Sequence, residues 1–367
     1  MRVFIVIPCL NEAAELEASC ASLGFGLGAE TRPAETTLIL VDNGSTDKTP
    51  EIMKQIQHSS YEGAVLVTHE GERGFVPPRR HGIERAAALA ASEGVSPRDV
   101  LMLQADADTR YQPGYVASMV AAGAAAGPSV LLEGRAAVSP EFSMLHPSYQ
   151  ALAERVDASV QSLCVAESED IIVDDKICAF RLSDYLAWGG HSREYDLHGE
   201  EIHAETTRLF MKGKSFGATK TLVDGAVAQP SRRKVDESPA LYFATAGFPH
   251  GGTWSDRWLG ENAELDTFDM MGDGHPHAIL IRQCHDLVLF GILPVWIGQA
   301  VGTLALSDAL GIRLSPLLAL LPSLTPEQIR NAPGWVLSTA LQLIDTKLSR
   351  LELFLCGYAL LPFAAER

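Results

Sequence analysis

Four short apolar runs decide what the first third of this chain can become. Residues 3–7 (VFIVI), 38–41 (LILV), 64–67 (AVLV) and 100–103 (VLML) are apolar at consecutive positions, not alternate ones. A strand of that kind is buried on both faces, the habit of parallel sheets covered by helices. Between the runs lie helical stretches. Asn11 can cap a helix reaching about Leu23, with Glu12 in its first turn. Ser45 or Thr46 can cap another through Gln57, with Asp47 in its first turn, and residues 79–92 and 113–126 read as two more. A fifth strand is expected over 129–137. Alternating strand and helix predict a parallel α/β sheet with right-handed crossovers.

In open α/β sheets ligands sit at the C-terminal ends of the strands. Three of the runs stop there in polar residues: Pro8, Asn11 and Glu12 after the first, Asp42-Asn43 after the second, and Asp106-Ala107-Asp108 after the fourth. Two carboxylates separated by one small residue repel each other unless a cation is near. Hard divalent ions take oxygen ligands, often one or two carboxylates completed by phosphate oxygens. The pair therefore reads as a metal–diphosphate site, against the plainer alternative of a solvated acidic loop.

Composition narrows the choices. With 47% apolar and 20% charged residues the 367-residue chain is a folding sequence, and its net charge of −17 argues against a nucleic-acid partner, which demands clustered Lys and Arg. Six cysteines without a CxxC pair fit reduced thiols in the cytoplasm. The opening MRVFIVIPCLNE is too short in its apolar run for a signal peptide and reads as the first strand. No GxGxxG follows that strand, which sets aside a dinucleotide oxidoreductase.

Beyond residue 140 the rhythm changes. A helix is expected over 147–165, a strand over 176–181, a turn at Gly189-Gly190, and a helix over 199–213 carrying Glu200, Glu201, Glu205 and Arg208. A strand over 219–228 and the basic cluster Ser231-Arg232-Arg233-Lys234 follow. The chain divides on this reading into 1–140, 141–235, irregular loops over 236–276, and a helical region over 277–367. Residues 287–306 are long and apolar enough to span a bilayer, but a helical cap is the preferred reading, with this stretch as the place for peripheral membrane contact.

The order and spacing of VIPCLNE (6–12), LILVDNGSTDKT (38–49), RGFVPPRRHGIERA (73–86) and DVLMLQADADT (99–109) resemble the family 2 glycosyltransferases of the GT-A fold. The resemblance is close to residue 140 and looser to about Lys234. It implies a Rossmann-like, mostly parallel α/β sheet flanked by helices, here with a C-terminal helical extension. It implies inverting, metal-dependent transfer of a sugar from a nucleoside-diphosphate sugar to an acceptor hydroxyl, glycan or lipid-linked, as in cell-envelope synthesis. On this resemblance Pro8, Asn11, Glu12, Asp42, Asn43, Arg79 and Asp106 would bind the nucleotide sugar, with Asn43 standing where relatives often carry a second acid. Asp108, with Asp106, would hold Mn²⁺ or Mg²⁺. Arg80 replaces the family's asparagine and is equally a surface charge.

Inverting transfer also needs a carboxylate to take the acceptor's proton. The family uses the aspartate of a Glu-Asp pair opening a helix, so here Glu201 matches the base, with Glu200 as its substitute. The other reading of the pair is helix-start acids complementing a dipole. Arg208 matches a structural or phosphate-facing arginine, and His250, His275 and His277 are candidates for a further metal ligand. The competing readings are a retaining transferase or nucleotidyltransferase of the same fold, and a non-catalytic nucleotide-sugar-binding scaffold.

Overall fold

The computed structural model describes residues 1–29, 35–196, 198–247, 276–303 and 309–358. In chain order the elements begin β1 (Arg2–Cys9), α1 (Leu16–Ser22), β2 (Thr36–Asp42), α2 (Thr49–Ser59), β3 (Val65–His69) and α3 (Val76–Ser92). β4 (Val100–Gln104), β5 (Thr109–Tyr111), α4 (Tyr115–Ala125), β6 (Val130–Ala136), α5 (Pro140–Leu145) and α6 (Pro147–Val160) come next. Then follow β7 (Cys178–Arg181), α7 (Leu182–Ala187), α8 (Glu205–Lys214), β8 (Thr219–Pro230), α9 (Arg233–Glu237) and α10 (Pro239–Thr245). The last are α11 (Pro276–Val301), α12 (Ala309–Leu318), α13 (Pro326–Asn331) and α14 (Pro333–Gly357).

Two compact units result. One holds Met1–Ala137 with Val173–Ser231, the other Val138–Ile172 with Arg232–Arg367. The first is built on an eight-stranded sheet in the order β3-β2-β1-β4-β7-β6-β8-β5. β1 lies between β2 and β4, parallel to both, with Val3 to Ile7 sealed on both faces. Gly82 lets α3 lie close on this strand: a Cβ there would come 2.3 Å from Val6 Cγ1.

The purely parallel arrangement expected through residue 137 stops at β4. Between β4 and β6 stands β7, antiparallel to both. The chain reaches β7 after the long excursion 138–177, so no short crossover dictates its direction. β5, three residues antiparallel to β8, is too short to show a period in sequence. The sheet is thus mixed and mostly parallel, flanked by helices and followed by a C-terminal helical region.

The second unit is helical among its described residues. Its long helix α11 contains the start of the run singled out for membrane contact. The apolar window is 89% buried within the protein, and Leu287, Val288, Ile292, Leu293 and Ile297 are core residues. The described part of 287–306 therefore packs as a core helix, in keeping with the preferred reading of a helical cap. A π-turn at Leu287–Ile292 lies within it.

Candidate active site

The sheet's C-terminal edge collects the polar residues read from the sequence. Pro8 pairs with Val41 and Cys9 with Asp42, so the ends of β1 and β2 lie side by side. The Asp42 carboxylate accepts from the backbone N–H of Gly44 and Ser45 and bonds His69 Nδ1 at 3.0 Å. Against the upward push of desolvation, these bonds hold Asp42 below the usual carboxylate range.

Asn11 is not a helix cap. It sits at φ 57, and its side-chain oxygen accepts from the Thr46 N–H at 2.8 Å, joining the loops after β1 and β2. Glu12 lies before α1, its N–H on Thr49 Oγ1. Asp47 precedes α2 and accepts from the Thr49 N–H and hydroxyl, where the sequence had suggested Ser45 or Thr46 as the cap. Asn43 is buried, donates to the carbonyls of Glu70 and Glu72, and accepts from the Gly74 N–H. With both amide hydrogens engaged, its side chain holds the loop after β3.

Past the tip of β4, Ala105, Ala107 and Thr109 are buried while Asp106 and Asp108 are half-buried. Beneath them Arg79, on the first turn of α3, forms a hub. Its Nη2 reaches Asp106 Oδ1 at 2.8 Å and Asp175 Oδ2 at 2.9 Å, its Nε reaches Glu205 Oε1 at 2.6 Å, and its Nη1 donates to Gln104 Oε1. Burial alone would lower the arginine's pKa, but Asp175, Asp106 and Glu205 raise it and keep it charged. Around the hub Asp106, Asp174, Asp175 and Glu205 surround Arg79 and Lys176. Desolvation, partly opposed by Arg79, pushes the Asp175 carboxyl up to about 6. Arg80 lies outside the hub, near Glu72 and Glu84, as a surface charge.

Asp174, Asp175 and Glu205 did not enter the sequence reading of the site. A signal was present: IIVDDK over 171–176 repeats the apolar-then-acidic pattern of 100–108.

The expected helix over 199–213 begins only at Glu205, after Ala204 at φ 59. Glu200 and Glu201 are therefore loop residues and complement no dipole of α8. Glu200 is exposed. Glu201 turns to the start of α3, accepting from the N–H of Phe75 and Val76 and pairing with Arg193 at 3.0 Å. Arg208 is structural: sealed from solvent, it donates to the carbonyls of Ser192, Ile202 and His203 and pairs with Glu194. His250 and His275 lie outside the described residues.

Among the described residues no group of three or more His, Cys, Asp and Glu side chains could hold a metal ion. The donors at the β4 tip are two carboxylates, a hard oxygen set that suits Mg²⁺ or Mn²⁺ only when phosphate oxygens and water complete the shell. The residues fit a metal that arrives with its diphosphate, not a preformed cage.

Residues 4–157 match the family model described as glycosyl transferase family 2. No curated protein matches the chain. Among solved structures, a mannosyltransferase from Pyrobaculum calidifontis in complex with GDP-Man and Mn²⁺ is similar at 16% identity and a TM-score of 0.45, covering 94% of this chain and 87% of that one. TarS 1–349 from S. aureus is similar at 13% identity and a TM-score of 0.44, covering 95% and 92%. The same TarS fragment in complex with UDP gives 0.45.

Proposed function

From the premise that the chain carries a glycosyl transferase family 2 domain, we propose that it moves a sugar from a nucleoside-diphosphate donor to the hydroxyl of a glycan or lipid-linked acceptor, with inversion. The observation that carries this reading is the hub at the end of β4, where Arg79 pairs with Asp106 and carboxylates outnumber cations. Such a surplus suits a divalent cation and repels a bare diphosphate. Asp106 and Asp108 would hold Mn²⁺ or Mg²⁺, which when bound supplies positive charge against the leaving diphosphate.

The chain's own residues do the rest. Arg79 fixes the Asp106 carboxylate, and Gln104 fixes Arg79 from the buried side. Asp42, kept ionised by its hydrogen bonds, accepts from nucleoside N–H or O–H groups. As the acceptor oxygen bonds the anomeric carbon, the bond from that carbon to the diphosphate oxygen breaks and the hydroxyl proton passes to a carboxylate. Of the two acids expected there, Glu200 has the exposed side chain and we assign it that proton. All six cysteines are free, and we place the enzyme in the cytoplasm, at the inner face of the membrane where its acceptor is lipid-linked.

The test is a thermal-shift screen of UDP-, GDP-, ADP- and dTDP-sugars with and without Mn²⁺, followed by an assay of nucleotide-sugar turnover. One nucleotide should raise the melting temperature only with metal present; at one hundred times Kd the stabilisation is about 2.7 kcal/mol. Asp108→Ala should abolish both the metal-dependent shift and turnover. No shift with any donor, or turnover unaltered in Asp108→Ala, would refute the proposal. Retained anomeric configuration in the product would refute direct inverting attack.

A further inference from the structure

Helix α3 begins in an unusual way. The first four N–H groups of a helix have no partner within it. In α3 two of those positions are Pro77 and Pro78, which have no N–H to satisfy. The two that remain belong to Phe75 and Val76, and Phe75 offers no side-chain cap. Both donate to one side chain from far along the chain, the Glu201 carboxylate, at 3.2 and 3.1 Å. A carboxylate there also complements the positive end of the helix dipole.

The approach depends on Gly74. A Cβ at that position would lie 2.1 Å from Glu201 Oε2 and 3.0 Å from Arg193 Nη2. Arg193 holds the carboxylate from the other side and donates to the Arg73 carbonyl. The Phe75 and His203 rings meet at a tilt of 42° with centroids 3.8 Å apart. Three residues after Val76 comes Arg79, the hub of the site. Arg208, bonded to three carbonyls of the loop that carries Glu201, keeps that loop in shape.

We infer that Glu201 is a positioning residue: by capping α3 it sets Arg79, and through Arg79 the Asp106 carboxylate, in the geometry that receives the donor diphosphate. It does not take the acceptor's proton. The inference rests on the functional reading above and departs from what the resemblance to the family implies for this position. Both of its oxygens already accept from backbone donors, and its side chain is only 7% exposed.

The test compares wild-type protein with Glu201→Gln and Arg193→Gln, using the nucleotide diphosphate found in the donor screen, Mn²⁺ and the matching sugar donor. Glu201→Gln keeps the shape but offers one acceptor oxygen and no charge. Its nucleotide Kd should rise about tenfold, with kcat falling by no more than about tenfold and the pH profile of kcat keeping its acidic limb, because the base is elsewhere. Amide exchange at Phe75 and Val76 should quicken in the same variant. Arg193→Gln should show the same pattern, more weakly. Loss of a general base would instead cost about 10²–10⁴ in kcat with Kd unchanged and the acidic limb gone; that result, or unchanged exchange at both amides, overturns the inference. Wild-type protein that binds no nucleotide overturns the functional reading together with this one, whereas wild-type binding matched by Glu201→Gln overturns positioning alone.

Discussion

Two buried arginines, one in each unit, show how differently the same side chain can be satisfied. Arg282, on α11, makes its ion pair with a single acid, with Asp286 as a further charge near it. It holds Asp157 of α6 with both its Nε and Nη2, donates Nη1 to the Phe243 carbonyl at 2.8 Å, and lies over the Phe243 ring. That is a clasp between helices. Arg79 instead meets Asp106, Asp175 and Glu205, three acids from three separate segments, each touching it through one oxygen. Asp106 and Asp175 remain 28% and 29% exposed. A saturated arginine leaves nothing for a ligand; an oversubscribed one leaves negative charge facing outward. The contrast gives a criterion for a site that does not rely on motif: look for the buried cation with too many partners.

The largest effect should come from removing the oversubscribed cation. Arg79→Met leaves three carboxylates facing one another with Lys176 left to offset them, and stranding buried charge costs about 3–5 kcal/mol. Metal-dependent nucleotide binding should vanish with it. Chemical unfolding and calorimetric nucleotide titration check both halves. A variant that keeps its affinity would break the contrast, since Arg79 would then be as purely structural as Arg282.

Arg282→Met should do less, and only to stability. Asp157 is 47% exposed and regains water when its partner goes, so the loss is that of hydrogen bonds to a charged group, about 1–3 kcal/mol. Nucleotide affinity should stay within twofold of wild type, about 0.4 kcal/mol. A parallel loss of affinity would show that this clasp, too, serves the site.

The same contrast explains what could be read from the sequence. β1, β2 and β4 were legible because each is a run of consecutive apolar residues closed by a polar tip, and burial on both faces forces that pattern; β3 shows the same run at the sheet's edge, with only its first residue fully buried. Asp42, Asp106 and Asp108 could be picked out as candidates because they stand at those tips. Glu201's partner could not, because the amides it caps are those of Phe75 and Val76, joined to it only by the fold. The bonds of Asn43 were hidden for a related reason: the carbonyls its side chain serves lie past the end of the next strand. The apolar stretch of α11 shows the limit of composition. A core helix and a span have the same sequence signature, and only the packing of its buried side chains separates them.

The smallest expected effect concerns pH, where the units should differ in sign. In the second unit Asp286 is buried; desolvation, reinforced by Asp157 and only partly opposed by Arg282, lifts its carboxyl well above the ordinary range. The folded state therefore holds a proton that the unfolded chain releases near pH 3.9. Its contribution is complete below that value and is lost as pH rises toward the folded-state value, at up to about 1.4 kcal/mol per pH unit. Asp42 in the first unit runs the other way. Its lowered pKa contributes stability above about pH 3.9 that is lost as pH falls through the folded value. Asp286→Asn keeps a donor toward Asp157 and carries no charge at any pH, so its stability relative to wild type should climb as pH rises above 4. Asp42→Asn should instead lose ground relative to wild type over the pH range in which wild-type Asp42 ionises. Urea midpoints measured from about pH 2 to 8 read both slopes, that of Asp42 below pH 4 and that of Asp286 above it. Parallel slopes in the two variants would mean that both acids are equally hydrated and that the difference between the units ends at their arginines.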